Sequence, residues 1–267
     1  MKLEVRSAQN EKKGEIELPE QFSEEVNSDL IARAVLAVQS RKRQRYGASP
    51  EAGKRASAKV SRRRRDYRGS YGHGISRVPR KVMSRRGIRM NWVGAFAPGT
   101  VGGRQAHPPK AKDMEKKINR KEERKAIRSA IAAAMNRQIV SANHKIPDNY
   151  PFAASQEVEK ISKTKEAVDL LKKFGMQEEL KRTSKKVSRA GKGKLRGRKT
   201  RTKKGLLIVV ADTCGLSKSG RNLPGVDVVA VNKLDAEMLA PGAVPGRPVI
   251  FTQTAIERMR KEKIFSK

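Results

Sequence analysis

The stretch GLLIVVAD, residues 205–212, is a continuous apolar run bounded by a glycine and an aspartate. Such a run is typical of a parallel strand that is covered on both faces. The stretches VDVVAV (226–231) and PVIFTQ (248–253) have the same character, and the sequence between them, NKLDAEMLAPG (232–242), predicts a short helix that ends at a Pro-Gly pair. Strands that alternate with helices predict a parallel sheet with helices packed against it.

The remaining ordered segments fit the same architecture. KLEVRS (2–7) and GEIEL (14–18) alternate in polarity and predict two short strands. Apolar residues at helical spacing predict a helix that starts near Ser28 and a long helix over residues 113–142. Thr254 and Glu257 have the spacing of a capping box, which predicts that the last helix begins there. The predicted fold class is α/β, with a mostly parallel sheet, helices on both faces and a long extended basic loop.

Charge is distributed very unevenly along the chain. The 267 residues include 62 Lys and Arg against 27 Asp and Glu, a formal net charge of +35. Residues 41–112 contain 21 basic and 2 acidic residues, and residues 180–204 contain 13 basic residues and no acidic residue. The other segments together are nearly neutral. A charge excess of this size opposes compaction and calls for a polyanionic partner, with nucleic acid the first candidate and an anionic membrane the second.

The charge pattern predicts the domain organisation. Residues 1–45 and 113–267 are expected to form the globular α/β body. Residues 46–112 are expected to form an extended loop inserted in that body, because a connection this long is usually functional or disordered. Residues 180–204 are expected to form a second basic loop.

Several function classes lack support in the sequence. No apolar run is long enough for a transmembrane helix, and the first residues lack a secretory apolar core. Cys214 is the single cysteine, which favours a reducing, cytoplasmic location. The histidines His73, His107 and His144 lack metal-ligand spacing. No phosphate-binding or dinucleotide-binding glycine motif is present, so we predict no catalytic residues, no cofactor, no metal and no enzymatic activity.

The first basic segment has the composition of an RNA-binding chain. Its arginines and lysines are interleaved with glycines and with five of the eleven aromatic residues of the protein. Arginine pairs with phosphate and stacks on bases, and aromatic rings stack on unpaired bases. For Trp92 and Phe96, a small local hydrophobic cluster is an equally good interpretation. The second basic segment has no aromatic residue, which favours a loop that follows phosphates.

Two other functions are compatible with the charge pattern. A DNA-packing protein would also carry concentrated cations, and it would prefer duplex DNA over structured RNA. An RNA-modifying enzyme on a doubly wound sheet would use basic arms to recruit its substrate, but it would need a cofactor loop that the sequence does not show.

Specific strings resemble a known family. GGRQAHPPK (102–110), GRKTRTKKGLLIVVAD (197–212) and RNLPGVDVVAVNKLDAEMLAPGAVPGRPVIFT (221–252) are similar to universal ribosomal protein four of the large subunit, in its archaeal form. SDLIARAVLAVQSRKRQRYG (28–47) and RSAIAAAM (128–135) agree as well. The resemblance runs over nearly the whole chain in the right order.

The resemblance implies a structural protein of the large ribosomal subunit that acts in the cytoplasm and helps assembly. It implies an α/β body on the outer face of the subunit and a loop that reaches inward through rRNA. The loop tip would help line the polypeptide exit tunnel, opposite ribosomal protein twenty-two and beside the nascent polypeptide. From the glycine-rich middle of the loop we expect Tyr71, His73 and Arg77 to lie near the tunnel.

The expected RNA-binding residues are a subset of the cations of both basic segments together with one aromatic residue. In the first segment they are Arg41, Arg43, Arg62, Arg63, Arg64, Arg65, Arg68, Arg77, Arg80, Lys81, Arg85, Arg86, Trp92, Arg104 and Lys110. In the second segment they are Lys192, Lys194, Arg196, Arg198, Lys199 and Arg201.

Overall fold

The computed structural model describes residues 1–67 and 69–266. The chain divides into two compact units. The first, here called the body, consists of Met1–Lys42 and Glu115–Lys267, and the second, here called the insert, is Arg43–Met114. The body is therefore built from two separate lengths of chain.

The bounds of the regular elements are as follows. The strands of the body are β1 (Lys2–Arg6), β2 (Lys12–Glu17), β5 (Ala153–Ala154), β6 (Val187–Ser188), β7 (Thr200–Arg201), β8 (Leu207–Val210), β9 (Asp227–Ala230) and β10 (Val249–Phe251). Its helices are α1 (Ser28–Lys42), α2 (Arg120–Met135), α3 (Arg137–Ser141), α4 (Thr164–Lys173), α5 (Gln177–Ser184), α6 (Gly215–Gly220), α7 (Ala236–Leu239) and α8 (Gln253–Lys261). The insert contains β3 (Arg80–Arg86) and β4 (Arg89–Gly94).

The three apolar stretches form a parallel sheet in the order β10-β8-β9. A second sheet has the order β2-β1-β5, in which β1 pairs antiparallel with β2 and parallel with β5. One parallel bridge, between Ala154 and Thr252, links the two sheets. The α/β prediction is confirmed. The prediction of a mostly parallel sheet is not confirmed, because the sheets are small and three strand pairs are antiparallel.

Strand β8 lies between two hydrophobic cores, and its alternate residues face them. Leu207 and Val209 belong to a core that includes residues of α1, α2, α7 and α8. Ile208 and Val210 belong to a core that includes residues of α4 and α6. All four side chains are buried. Because successive strand residues point to opposite faces, a strand covered on both faces must be apolar at every position, which explains the continuous run.

Helix α1 packs against α2 through small residues. Ala34 of α1 and Ala126, Ala130 and Ala134 of α2 are buried in the same core, and alanine allows two helix backbones to approach closely. The prediction of one helix over residues 113–142 is wrong at both ends. The Lys116 N–H donates to Ser40 Oγ (2.8 Å) instead of entering a helix.

At the other end of that segment, Asn136 interrupts the helix. Its backbone is extended (φ −83°, ψ 109°), and its side chain accepts a hydrogen bond from the Gln138 N–H, which starts α3. Asparagine side chains compete with the helical backbone in this way. The predicted capping box of α8 is also wrong: Thr252 caps the helix by accepting from the Ala255 N–H, while the Thr254 hydroxyl donates to Glu159.

The insert has regular structure but almost no core. Strands β3 and β4 form an antiparallel hairpin, so this segment is not simply an extended loop. The Ala48 N–H donates to the Pro109 carbonyl (2.9 Å), so the entering and leaving chains run side by side. Among the described residues of the insert, only Gly69, Ser70 and Ala95 are buried. Hydrophobic burial therefore contributes little to the order of the insert.

Gly225 occupies a position that no other residue fits. Its φ is +77°, and a Cβ there would lie 2.6 Å from both the Lys203 carbonyl oxygen and Thr183 Cβ. Gly225→Ala is expected to lower the free energy of unfolding by about 2–5 kcal/mol, from left-handed strain and overpacking together. The control is Gly242→Ala, with φ +78° but open space around it, for which about 1–2 kcal/mol is expected. Urea unfolding compares the two, and equal losses would contradict the packing argument.

Candidate nucleic-acid interface

The insert presents a run of four exposed cations, Arg62–Arg65, in a turn. Among the residues that the structure describes, no carboxylate forms an ion pair with them. The adjacent Asp66 accepts hydrogen bonds from the Ser61 hydroxyl and the Tyr67 N–H, which lower its pKa with a smaller contribution from the charge of Arg63. A cluster of exposed cations with so little internal compensation is suited to phosphate.

The aromatic rings of the insert each lie beneath an arginine of the same unit. Distances from the guanidinium carbon to the ring centroid are 4.7–5.9 Å for the pairs Arg43–Tyr46, Arg85–Tyr67, Arg77–Tyr71, Arg80–Trp92 and Arg104–Phe96. These distances are in the range of cation–π contacts. The rings and the guanidinium groups are therefore in cation–π contact with one another, and each is a group that can also stack on a base.

Trp92 lies beside an open groove of about 850 Å³ in the insert. The groove is lined by the rings of Tyr67 and Trp92 and by cations that include Lys59, Arg80 and Lys81. Trp92 is half-buried, and the Arg80 guanidinium also donates to Ser70 Oγ (3.3 Å). Aromatic faces between cations are the arrangement that binds unpaired nucleotides.

The second basic segment folds as a short hairpin, here called the arm, over residues 185–204. Strands β6 and β7 pair at its base, and the Arg189 N–H donates to the Lys199 carbonyl (2.9 Å). Residues 180–184, which precede it, lie in α5. The cations predicted to bind RNA here are all exposed: Lys192, Lys194, Arg196, Arg198, Lys199 and Arg201.

A buried carboxylate anchors the foot of the arm. Glu179 is 1 % exposed and accepts hydrogen bonds from Arg182 Nε (2.8 Å) and Nη2 (2.7 Å) and from the Lys145 N–H (3.0 Å), with His144 Nδ1 at 2.8 Å. Burial alone would raise the pKa of Glu179, but the bonds from Arg182, His144 and Lys145 outweigh it and lower the pKa to about 2. Arg182 also donates to the Lys204 carbonyl (2.7 Å), which joins α5 to the end of the arm.

The depressed pKa of Glu179 makes stability depend on pH. Because the folded pKa of about 2 lies below the ordinary value of 4.5, the ionised group stabilises the fold above pH 4.5 and loses this effect as pH falls towards 2. Glu179→Gln is expected to lower the free energy of unfolding by about 3 kcal/mol at pH 7. This deficit should shrink between pH 4.5 and pH 2.

Urea unfolding at pH 7, 4 and 2.5 measures this deficit. The control is Glu166→Gln, because Glu166 is half-exposed and its partner Lys163 is on the surface; we expect less than about 1 kcal/mol at each pH. A Glu179→Gln deficit that stays constant over the three pH values would contradict the role assigned to the carboxylate.

The comparison with known proteins decides the family. The family model described as "Ribosomal protein L4/L1 family" matches residues 16–262. The chain belongs to the ribosomal protein L4/L1 family. This membership confirms the predicted resemblance, and with it the prediction of a structural protein that is not an enzyme.

Archaeal relatives match this L4/L1-family chain over nearly its full length. A protein of Nanoarchaeum equitans named "Large ribosomal subunit protein uL4" is 48 % identical over 267 residues, which cover 99 % of this chain and 100 % of the relative. Proteins with the same name from Archaeoglobus fulgidus and Methanosphaera stadtmanae are each 42 % identical over 263 residues. The matches cover 96 % and 97 % of this chain and 97 % and 96 % of the respective relatives.

Most of the predicted RNA-binding residues of this L4/L1-family chain are exposed, but they do not all have the same surroundings. Arg41 lies in the last turn of α1 and forms an ion pair with Glu123 (3.1 Å), so part of its charge is used within the body. Lys81 and Arg86 lie exposed on β3, and Lys110 is exposed near the end of the insert. Arg68 lies outside the described residues.

The three residues expected near the tunnel lie close together in the sequence of the insert. Tyr71 is half-buried beneath Arg77 (4.7 Å from guanidinium carbon to ring centroid), and His73 is exposed between two glycines with positive φ. These positions do not test the tunnel prediction, which stays a prediction.

Sequence reasoning missed cations at both surfaces. Arg55 and Lys59 line the groove beside Trp92, and Lys203 lies in a pocket at the foot of the arm. The sequence signal that could have identified these three cations is their position within the two basic segments. His144 and Arg182 also line that pocket. His144 lies in the chain after α3 and Arg182 lies in α5, so no local sequence pattern links them.

Asp212 and Cys214, which follow strand β8, have structural partners. Asp212 pairs with Arg258, and Cys214 stands at the N-cap of α6 beside Ser217. In residues 1–67 and 69–266, no group of three or more His, Cys, Asp or Glu side chains has an arrangement that could hold a metal ion. None of the helices in this part of the chain is long and apolar enough to span a bilayer.

Proposed function

We propose that this chain is a structural component of the large ribosomal subunit that binds large-subunit rRNA and supports assembly of the subunit. The observation that carries the proposal is the insert, which has 19 basic and 3 acidic residues in sequence but only three buried residues among those described. Such a unit gains little charge compensation and little burial from itself, and RNA supplies both. The archaeal relatives named for the large subunit support the same role.

The two basic surfaces have different parts in this proposal. The insert combines cations with aromatic rings and binds unpaired or irregular RNA, whereas the arm carries cations and glycines and follows phosphates. Both act in the ribosome, in the cytoplasm. Neighbouring ribosomal proteins are further partners, and no membrane is involved.

The finer part of the proposal is that the insert lines the polypeptide exit tunnel. Its glycine-rich segment would contact the nascent polypeptide through Tyr71, His73 and Arg77, opposite ribosomal protein twenty-two. The support is the family resemblance together with the exposure of this segment.

Sedimentation of a cell extract through a gradient tests the proposal. The chain is expected to travel with large subunits after a high-salt wash, because contacts buried in folded rRNA are screened less than surface contacts. Release into the soluble fraction by the wash would contradict a structural role. Crosslinking of a stalled nascent chain tests the tunnel, and crosslinks that fall only outside residues 60–90 would contradict that part.

A further inference from the structure

An open pocket of about 640 Å³ lies at the foot of the arm. Its lining combines residues from the chain after α3, from α5, from the end of the arm and from the turn after α7. The volume falls in the range of small-molecule sites, about 300–1,000 Å³. The arm is expected to bind successive phosphates along an RNA strand. A concave site at its foot has no role in that kind of binding.

The pocket lining carries positive charge that carboxylates compensate only in part. It contains four cations, Arg182, Arg201, Lys203 and Lys204, and no carboxylate. Arg182 forms an ion pair with Glu179, and Lys204 forms one with Asp227 (2.9 Å). In the described part of the chain, Arg201 and Lys203 form no ion pair with a carboxylate. Two cations are therefore available for an anionic ligand.

Two polar groups of the pocket, Arg182 and His144, are held in place before a ligand arrives. The Glu179 carboxylate and the Lys204 carbonyl hold the Arg182 guanidinium at three distances of 2.7–2.8 Å. The same carboxylate lies 2.8 Å from His144 Nδ1, which leaves Nε2 of that ring for a ligand. Groups that are already ordered bind with a smaller loss of conformational entropy.

Another part of the lining is apolar, and it indicates what the anion is attached to. Pro241, Val244 and Pro245 contribute this surface, and Val244 is 53 % exposed. A free phosphate ion gains nothing from apolar contacts, whereas a ribose and a base do. Asn143 also lines the pocket, and its amide offers a donor and an acceptor to a base edge.

We propose that this pocket binds a single nucleotide unit, with its phosphate on Arg201 and Lys203 and its base against Pro241 and Val244. The unit is either an unpaired nucleotide that bulges from an RNA helix or a free nucleoside monophosphate. For the RNA source, the inference rests on the proposed function and adds a nucleotide-sized recognition site to the arm.

Calorimetric titration of the full chain with AMP and with inorganic phosphate tests the site. Wild type is expected to bind AMP with one-to-one stoichiometry and more tightly than phosphate. Arg201→Gln with Lys203→Gln should weaken AMP binding about tenfold or more, because charge-assisted bonds are lost. Val244→Trp, which fills the pocket without a change in charge, should weaken it as well.

The matched control is Lys192→Gln with Lys194→Gln, which removes two cations from the exposed tip of the same arm. This variant should change AMP affinity less than about twofold. Circular dichroism checks that every variant is folded. Equal losses in the two double variants, equal affinity for AMP and phosphate, or an unaffected Val244→Trp variant would each overturn the proposal.

Two RNA hairpins distinguish the sources of the nucleotide. If the source is RNA, wild type should prefer a hairpin with a one-nucleotide bulge over its fully paired counterpart, and Val244→Trp should lose that preference. AMP binding without any bulge preference assigns the pocket to the free nucleotide. If neither AMP binding nor a bulge preference is seen, the pocket proposal fails, while salt-dependent binding to both hairpins would still support the proposed function.

Discussion

Replacing Arg247 with alanine is expected to lower the free energy of unfolding by about 3–5 kcal/mol, the cost of breaking a buried charge network. Arg247 is 2 % exposed, and its guanidinium donates to the carbonyls of Gly205 (2.6 Å), Met238 (2.7 Å) and Leu206 (3.3 Å) and to the Asp227 carboxylate. Alanine would remove this donor from the buried carbonyls of Gly205 and Leu206 and from the Met238 carbonyl, and it would leave Asp227 paired with Lys204 alone. The affected segments begin β8 and β9, so the damage falls on the central sheet.

Urea unfolding at pH 7 measures this effect, and two further variants make the result specific. Arg260→Ala removes an exposed arginine whose partner Glu17 lies 3.7 Å away, and it should change the free energy of unfolding by less than about 1 kcal/mol. Arg247→Lys keeps the charge but loses the planar fork, so its loss should lie between the other two. A loss below about 1 kcal/mol for Arg247→Ala would show that the network contributes no more than a surface ion pair.

Replacing Arg62–Arg65 with four glutamines is expected to weaken binding to transcribed large-subunit rRNA about a thousandfold at 0.1 M salt. Each phosphate contact releases counterions and contributes about 0.7–0.9 to the slope of log affinity against log salt, so four lost contacts should flatten that slope by about 3. The four arginines are exposed and form no ion pair with a described residue, so the protein itself compensates little of their charge. A filter-binding titration over a series of salt concentrations measures both quantities.

The control for this experiment changes the net charge of the protein by the same amount. It replaces four surface cations of the body that already pair with carboxylates, namely Arg137, Lys163, Lys172 and Arg260. This control should weaken RNA binding less than about tenfold, because long-range attraction alone is screened. Equal losses in the two quadruple variants would mean that net charge, and not a local RNA contact, governs binding.

The central sheet was predictable because its signal is local. A strand buried on both faces must be apolar at each position, and residues 207–210 meet that requirement without any tertiary information. The ends of the helices were less predictable because distant partners decide them. Ser40 Oγ accepts a hydrogen bond from the Lys116 N–H, and Glu159 accepts one from the Thr254 hydroxyl. Helix propensity alone therefore placed both helix boundaries wrongly.

The candidate site was predictable in its charge and not in its shape. Counting cations located both basic segments, but it did not reveal that each aromatic ring of the insert lies under an arginine such as Arg80 or Arg85. It also gave no sign of the pocket at the foot of the arm, whose walls come from four segments of the body that are far apart in sequence. In the sequence, nothing distinguishes Arg247 from the other basic residues, because its burial depends on carbonyls that only the folded chain brings around it.

The divided body has a consequence for the order of events during translation. Its first part, with β1, β2 and α1, is synthesised before the 72 residues of Arg43–Met114, and α2 follows them. At about 5–20 residues per second, this interval lasts roughly 4–14 seconds. Throughout it, α2 is not yet available to cover the apolar side chains of α1 that share its core, among them Ile31 and Val35. The cationic insert is therefore synthesised in full before the two parts of the body can pack together.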